Sequence, residues 1–162
     1  MQRISICLAL ALVTAAVSLA GWSASAVAHE KEAHVTYPAG MPGDPGKPAR
    51  TIKVRMFEQG KKMLYEPSVI TVRHGEQVRF VIYNDGIEDH EFILATVAEN
   101  RKHAEMMKKF PHMEHADPNA ITLAPLNGGE ILWKFTKRGE FEIACLIPGH
   151  REAGMHGKVI VK

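Results

Sequence analysis

Residues 140–162 read EFEIACLIPGHREAGMHGKVIVK. On either side, EFEIACLI and GKVIVK carry apolar or β-branched residues at alternate positions, the period of a strand with one buried face. Between them, Pro148, Gly149 and Gly154 break regular structure and punctuate a connecting loop. Within that loop Cys145, His150 and Met155 recur at five-residue intervals. The stretch therefore predicts two strands joined by a loop that carries a thiol, an imidazole and a thioether.

Working outward, the same alternation returns in RTIKVRMFE, SVITVRH, EQVRFVIYND, HEFILATV, AITLAPL and GEILWKFTKRG. In QVRFVIY, Val78, Phe80 and Ile82 fall on one face and Arg79, Val81 and Tyr83 on the other. Turn residues at 74–76, 84–86, 127–129 and 137–139 separate the runs at the spacing of an all-β sandwich of seven to eight strands. One segment departs from this period. Good helix formers from about Ala98 to Phe110, stopped by Pro111, predict a single inserted helix around 98–110.

Before Arg50 the chain changes character. Residues 29–49, rich in Pro and Gly, are expected to form a flexible arm without regular structure, and residues 50–162 the folded domain. Residues 1–28 combine the charged MQR start, an apolar run and the small-residue segment SASAVA, the pattern of a cleavable secretory signal peptide. The expected location is a periplasm, with no membrane span in the mature protein. Cleavage after Ala28 or after Ala26 is open; the second would place His29 third in the chain, a geometry suited to square-planar Cu(II).

Export gives the cysteines their meaning. Cys7 leaves with the signal peptide, so the mature chain keeps Cys145 alone in an oxidising compartment. Intermolecular disulfide, inert burial and metal ligation are the alternatives. Charge says less about partners: 20 basic and 18 acidic side chains form no basic stripe, which argues against nucleic acid. The nine histidines all lie after residue 28.

One thiolate, two imidazoles and a weak axial thioether describe a blue-copper electron-transfer site. His90, at the start of a strand after the turn NDGIED, is the best candidate for the second imidazole, because sheet pairing can bring it beside the last loop. NDGIEDHEF followed by CLIPGHREAGMHGKVIV closely resembles the cupredoxins, the type 1 copper proteins that include plastocyanin, azurin, auracyanin and rusticyanin. The loop spacing is similar to that of the last two. Together with RTIKV, GEQVRFVIYN and DPNAITLAP, it looks more like bacterial periplasmic cupredoxins, some associated with copper tolerance. The resemblance covers most of Arg50 to Lys162. It implies a Greek-key sandwich, one copper per chain alternating between Cu(I) and Cu(II), His90, Cys145 and His150 in the trigonal plane, and Met155 as axial ligand.

The residue after the first histidine departs from the Asn or Ser of many members: it is Glu91. Solvent, a hydrogen bond across the site and the metal's edge are all open to it, and a supporting hydrogen bond is the reading adopted here. Asn84 and Pro148 are expected to support the ligands too. A second cluster, His103, Met106, Met107, His112, Met113 and His115, reads either as helix packing with exposed histidines or as an extra copper site, since thioethers suit Cu(I).

The function expected is one-electron transfer by a monomer that docks weakly and transiently with redox partner proteins. The alternative is a copper-tolerance protein that binds or oxidises excess periplasmic copper. An enzyme is not expected, cuprous-oxidase-like activity being the weaker option, because multicopper oxidases and nitrite reductases of related fold need further copper centres.

Overall fold

The structure is a computed structural model that describes residues 37–110 and 117–162. The expected signal peptide and its candidate cleavage sites lie outside the described residues, as do His112, Met113 and His115.

Ten strands and one helix follow in the order β1 (Met41–Pro42), β2 (Arg50–Gln59), β3 (Lys62–Glu66), β4 (Val69–Val72), β5 (Gln77–Asn84), β6 (His90–Ala95), α1 (Val97–Lys109), β7 (Ala120–Leu123), β8 (Gly128–Lys134), β9 (Gly139–Ala144) and β10 (His156–Val161) among the described residues. They form two five-stranded sheets, β1-β8-β5-β2-β3 and β4-β10-β9-β6-β7. Each sheet is mixed: β2 runs parallel to β5 and β4 parallel to β10, while the other pairs are antiparallel.

The sandwich follows from the period-two pattern. Val78, Phe80 and Ile82 of β5 are fully buried, whereas Tyr83 faces outward. Across the core Phe80 meets Phe92 of β6 at 5.3 Å between ring centroids, and Phe92 meets Tyr65 at 6.0 Å. Strand β6 is buried along its whole length. Its second face is covered by α1, whose Met107 packs with Ile93, Ala144 and Leu146.

Helix α1 begins at a capping box. The Thr96 hydroxyl accepts from the Glu99 backbone and the Glu99 carboxylate accepts from the Thr96 backbone. Buried Asn100 then ties the helix to the sheet by donating to Glu142 Oε2 of β9 at 3.0 Å.

Two strands exceed the seven to eight expected. One is β3, which folds back on β2 from a segment too mixed in composition to show alternation. The other, β1, corrects the reading of residues 29–49 as an arm without regular structure. Met41 and Pro42 pair with Lys134 and Trp133, Ala39 is fully buried, and Tyr37 packs edge-on to Trp133 at 5.4 Å. Gln77 fastens the same segment, accepting from the Asp44 backbone N–H and donating to the carbonyls of Asp44 and Lys47. A two-residue strand bounded by Pro and Gly has no period to read. Partners far along the chain order it.

The strap passes close to β8 at Gly40, where a Cβ would stand 2.0 Å from the Lys134 carbonyl oxygen. Gly40→Ala should therefore destabilise the copper-free protein by about 2 kcal/mol through overpacking. Urea denaturation checks this, and an unchanged midpoint would show that the strap contributes nothing to the fold.

Candidate metal centre

The centre lies where two connections meet. Asn84, buried at the end of β5, organises the turn before His90: its amide donates to the carbonyls of Glu88 and Leu123, both at 2.8 Å, and its Oδ1 accepts from Gly86 N–H. The turn delivers His90 to the first position of β6. On the other side β9 ends at Ala144, and the loop 145–155 folds back on itself. His150 N–H donates to Ile147 O, Met155 N–H to His150 O, and Cys145 N–H to Met155 O at 3.1 Å, which closes the loop. Pro148 sits exposed in the turn, and Gly149 and Gly154 adopt the left-handed region at φ +95 and +106.

The structure brings His90, Cys145 and His150 together: their ligand atoms all lie within 4.8 Å of one another. His90 Nδ1 stands 3.3 Å from His150 Nδ1, and that atom is 3.4 Å from Cys145 Sγ. All three residues are buried, as is Met155, which belongs to the main core.

Both imidazoles turn Nδ1 inward because Nε2 is engaged outside. His90 Nε2 meets Glu58 Oε1 at 2.8 Å, and His150 Nε2 meets Glu88 Oε2 at 3.3 Å. Glu91 braces the thiol, its backbone N–H reaching Cys145 Sγ at 3.3 Å. Its carboxylate accepts from Leu146 N–H at 3.0 Å and faces the Thr122 hydroxyl at 3.5 Å, and its carbonyl accepts from the Tyr65 hydroxyl. Glu91 is thus a buried bridge between β3, β6 and the start of the loop 145–155.

Electrostatics fit this arrangement. Burial pushes the Cys145 thiol up to about 12, against the lowering effect of the Glu91 and Ile147 backbone. Burial and then His90 hold His150 below its ordinary value, which favours the neutral ring that a metal needs. Although burial pushes the Glu58 carboxyl up, the backbone N–H groups of Ile87 and Glu88 bring it below its usual value. A thiol and two imidazoles converging in a buried space fit a copper ion by donor chemistry.

Of the other cluster, His103, Met106 and Met107 fall within the described residues. Met107 is buried under the sheet, whereas Met106 is exposed, so the two thioethers diverge. His103 lines a separate cavity of about 230 Å³ with Asn100, Asp117 and Asn119.

Sequence reasoning missed Glu58, Glu88 and Tyr65. Glu58 lies 32 residues before His90 at the end of a strand, and only the parallel pairing of β2 with β5 reveals its position. No local signal marks it.

Residues 52–162 match the profile of the copper binding proteins of the plastocyanin/azurin family. The chain belongs to that family, and copper is its cofactor. It is 49% identical over 160 residues to a protein of Rubrivivax gelatinosus named copper-resistant cuproprotein CopI, covering 97% of this chain and 94% of that one. A Vibrio cholerae protein of the same name is 37% identical over 72% of this chain and 68% of its own length. Among solved structures, reduced auracyanin from Roseiflexus castenholzii superposes with a TM-score of 0.59 at 18% identity, over 72% of this chain and 99% of that one, a likeness of fold.

A raised acid pKa in the fold means that the protonated form stabilises it. Such a contribution is complete below the ordinary value and is lost as pH rises through the folded value. Cys145, from 9.0 to about 12, and Tyr65, pushed well above its ordinary value by burial, both act in this sense. Copper-free protein should lose stability from about pH 9 towards about pH 12. Cys145→Ala should flatten that decline in urea midpoints, and a parallel decline in both proteins would refute the assignment to Cys145.

Proposed function

We propose that this chain is an exported mononuclear type 1 copper protein that serves copper resistance through one-electron redox chemistry. The carrying observation is the buried convergence of His90 Nδ1, His150 Nδ1 and Cys145 Sγ within 4.8 Å. In this reading those three side chains would hold one copper, with Met155 of the same loop as a further, thioether donor. Bound there, copper supplies a Cu(I)/Cu(II) couple.

The residues themselves supply the rest. Burial of the donors in the core excludes water. The closed loop 145–155 and the Asn84 turn hold the donors in place, so little rearrangement accompanies a change of charge. Metal uptake displaces the Cys145 proton, because a coordinated cysteine is a thiolate. The setting in copper resistance is supported by the CopI relatives, the first of which matches nearly the whole chain. Export is supported by the apolar leader and small-residue segment of residues 1–28.

A general electron carrier is the second reading. The observation that favours it is exposed Ile87, next to Glu88, whose carboxylate meets His150. An apolar side chain beside the route to a ligand suits brief docking with a redox partner.

One measurement tests the site and a second separates the two readings. Copper-loaded protein should show an intense thiolate-to-copper charge-transfer band and a type 1 electron-resonance signal, both lost in Cys145→Ser. A band that survives this substitution would overturn the site. A deletion strain should grow more poorly than its parent in high copper and recover with the wild-type chain but not with Cys145→Ser. Equal growth of deletion and parent would favour the carrier reading.

A further inference from the structure

Of the two carboxylates on the histidine pair, Glu88 is half exposed, with 53% of its side chain open to solvent, whereas that of Glu58 is only 16% exposed. The Glu58 carboxylate is also seated. It accepts from the backbone N–H of Ile87 at 3.0 and 3.3 Å, from that of Glu88 at 3.2 Å, and meets His90 Nε2 at 2.8 Å. The turn closes tightly on it, for a Cβ at Gly86 would stand 2.4 Å from Glu58 Oε2. Three donors and a close backbone therefore define where this carboxylate sits.

A carboxylate on Nε2 requires that nitrogen to carry the proton, which leaves the Nδ1 lone pair facing Cys145 and His150. We propose that Glu58 is a positioning residue for the copper site: it holds His90 as the Nε2–H tautomer and, through the ring, favours Cu(II) over Cu(I). The inference rests on the reading that His90 is a copper ligand. Its physical basis is direct. A negative charge on the far side of the imidazole raises the basicity of Nδ1, and the more basic donor gains more from the doubly charged ion than from the singly charged one. Glu58 thereby lowers the reduction potential of the site and biases a copper-resistance protein toward holding the oxidised metal.

Two substitutions separate orientation from charge. Glu58→Gln removes the charge but keeps an acceptor oxygen of similar reach, and Glu58→Ala removes the acceptor. Glu66→Gln, which breaks the exposed pair with Arg55, is the control. In metal-free, ¹⁵N-labelled protein, long-range ¹⁵N–¹H correlation should show wild-type His90 as a single Nε2–H tautomer and the Ala variant as a mixture. In the copper form, Glu58→Gln should have a more positive reduction potential than wild type, with Glu66→Gln unchanged. Cu(II) affinity should fall about 10- to 100-fold in Glu58→Ala, the usual cost of losing such a partner. A wild-type potential in Glu58→Gln, or an unmixed Nε2–H tautomer in Glu58→Ala, overturns the proposal. Failure of the underlying copper reading looks different: wild type itself would lack the charge-transfer band, while the metal-free tautomer measurement would still decide the role of Glu58 toward His90.

Discussion

A thiol cannot sit in an apolar core unless its surroundings hold it there, and here that constraint converges on Glu91. Its N–H serves the Cys145 sulfur, its carbonyl the Tyr65 hydroxyl, and its carboxylate the Leu146 N–H. One residue of β6 thereby joins β3 and the end of β9, and through Thr122 it also faces β7. Asn or Ser at this position would reach less far. A carboxylate spans the gap to the Leu146 N–H, so the framework of the site exists before any metal enters.

The rest of the molecule stiffens that framework from both sides. The Phe80–Phe92 contact presses β6 against the opposite sheet, and α1 covers its outer face. Glu142 links the helix to the ligand loop, for its carboxylate accepts from Asn100 and from Arg151, the neighbour of His150. A loop held at its two ends, at its middle by Arg151 and at its thiol by Glu91 has little freedom to follow a change of metal charge. Such rigidity would suit the one-electron chemistry proposed, because rearrangement between oxidation states slows transfer.

How much of this was legible depended on distance along the chain. The strand faces could be read because alternation is local, and Cys145, His150 and Met155 because one loop carries all three. His90 could be placed because a turn marks the strand it begins. Strand β1 was hidden, since Pro and Gly read as loop until Trp133 and Gln77 supply partners. Glu58 was hidden for a different reason: an acidic residue at a strand end is ordinary, and only the register of β2 against β5 sets it beside His90. Met106 and Met107 looked alike in sequence, yet their adjacent positions on a helix point them to opposite fates.

The loop between β9 and β10 has a further consequence. Ala144 and His156 pair directly across the antiparallel ladder, so everything from Cys145 to Met155 hangs from one closed register. Residues 147–154 lie outside that ladder, whereas Cys145, Leu146 and Met155 at its edges belong to the core. The fold thus separates a chassis of paired strands from a loop that carries Cys145, His150 and Met155. Exchange of that loop alone would change three of the candidate donors at once, while His90 and its Glu58 partner stay fixed on the other side.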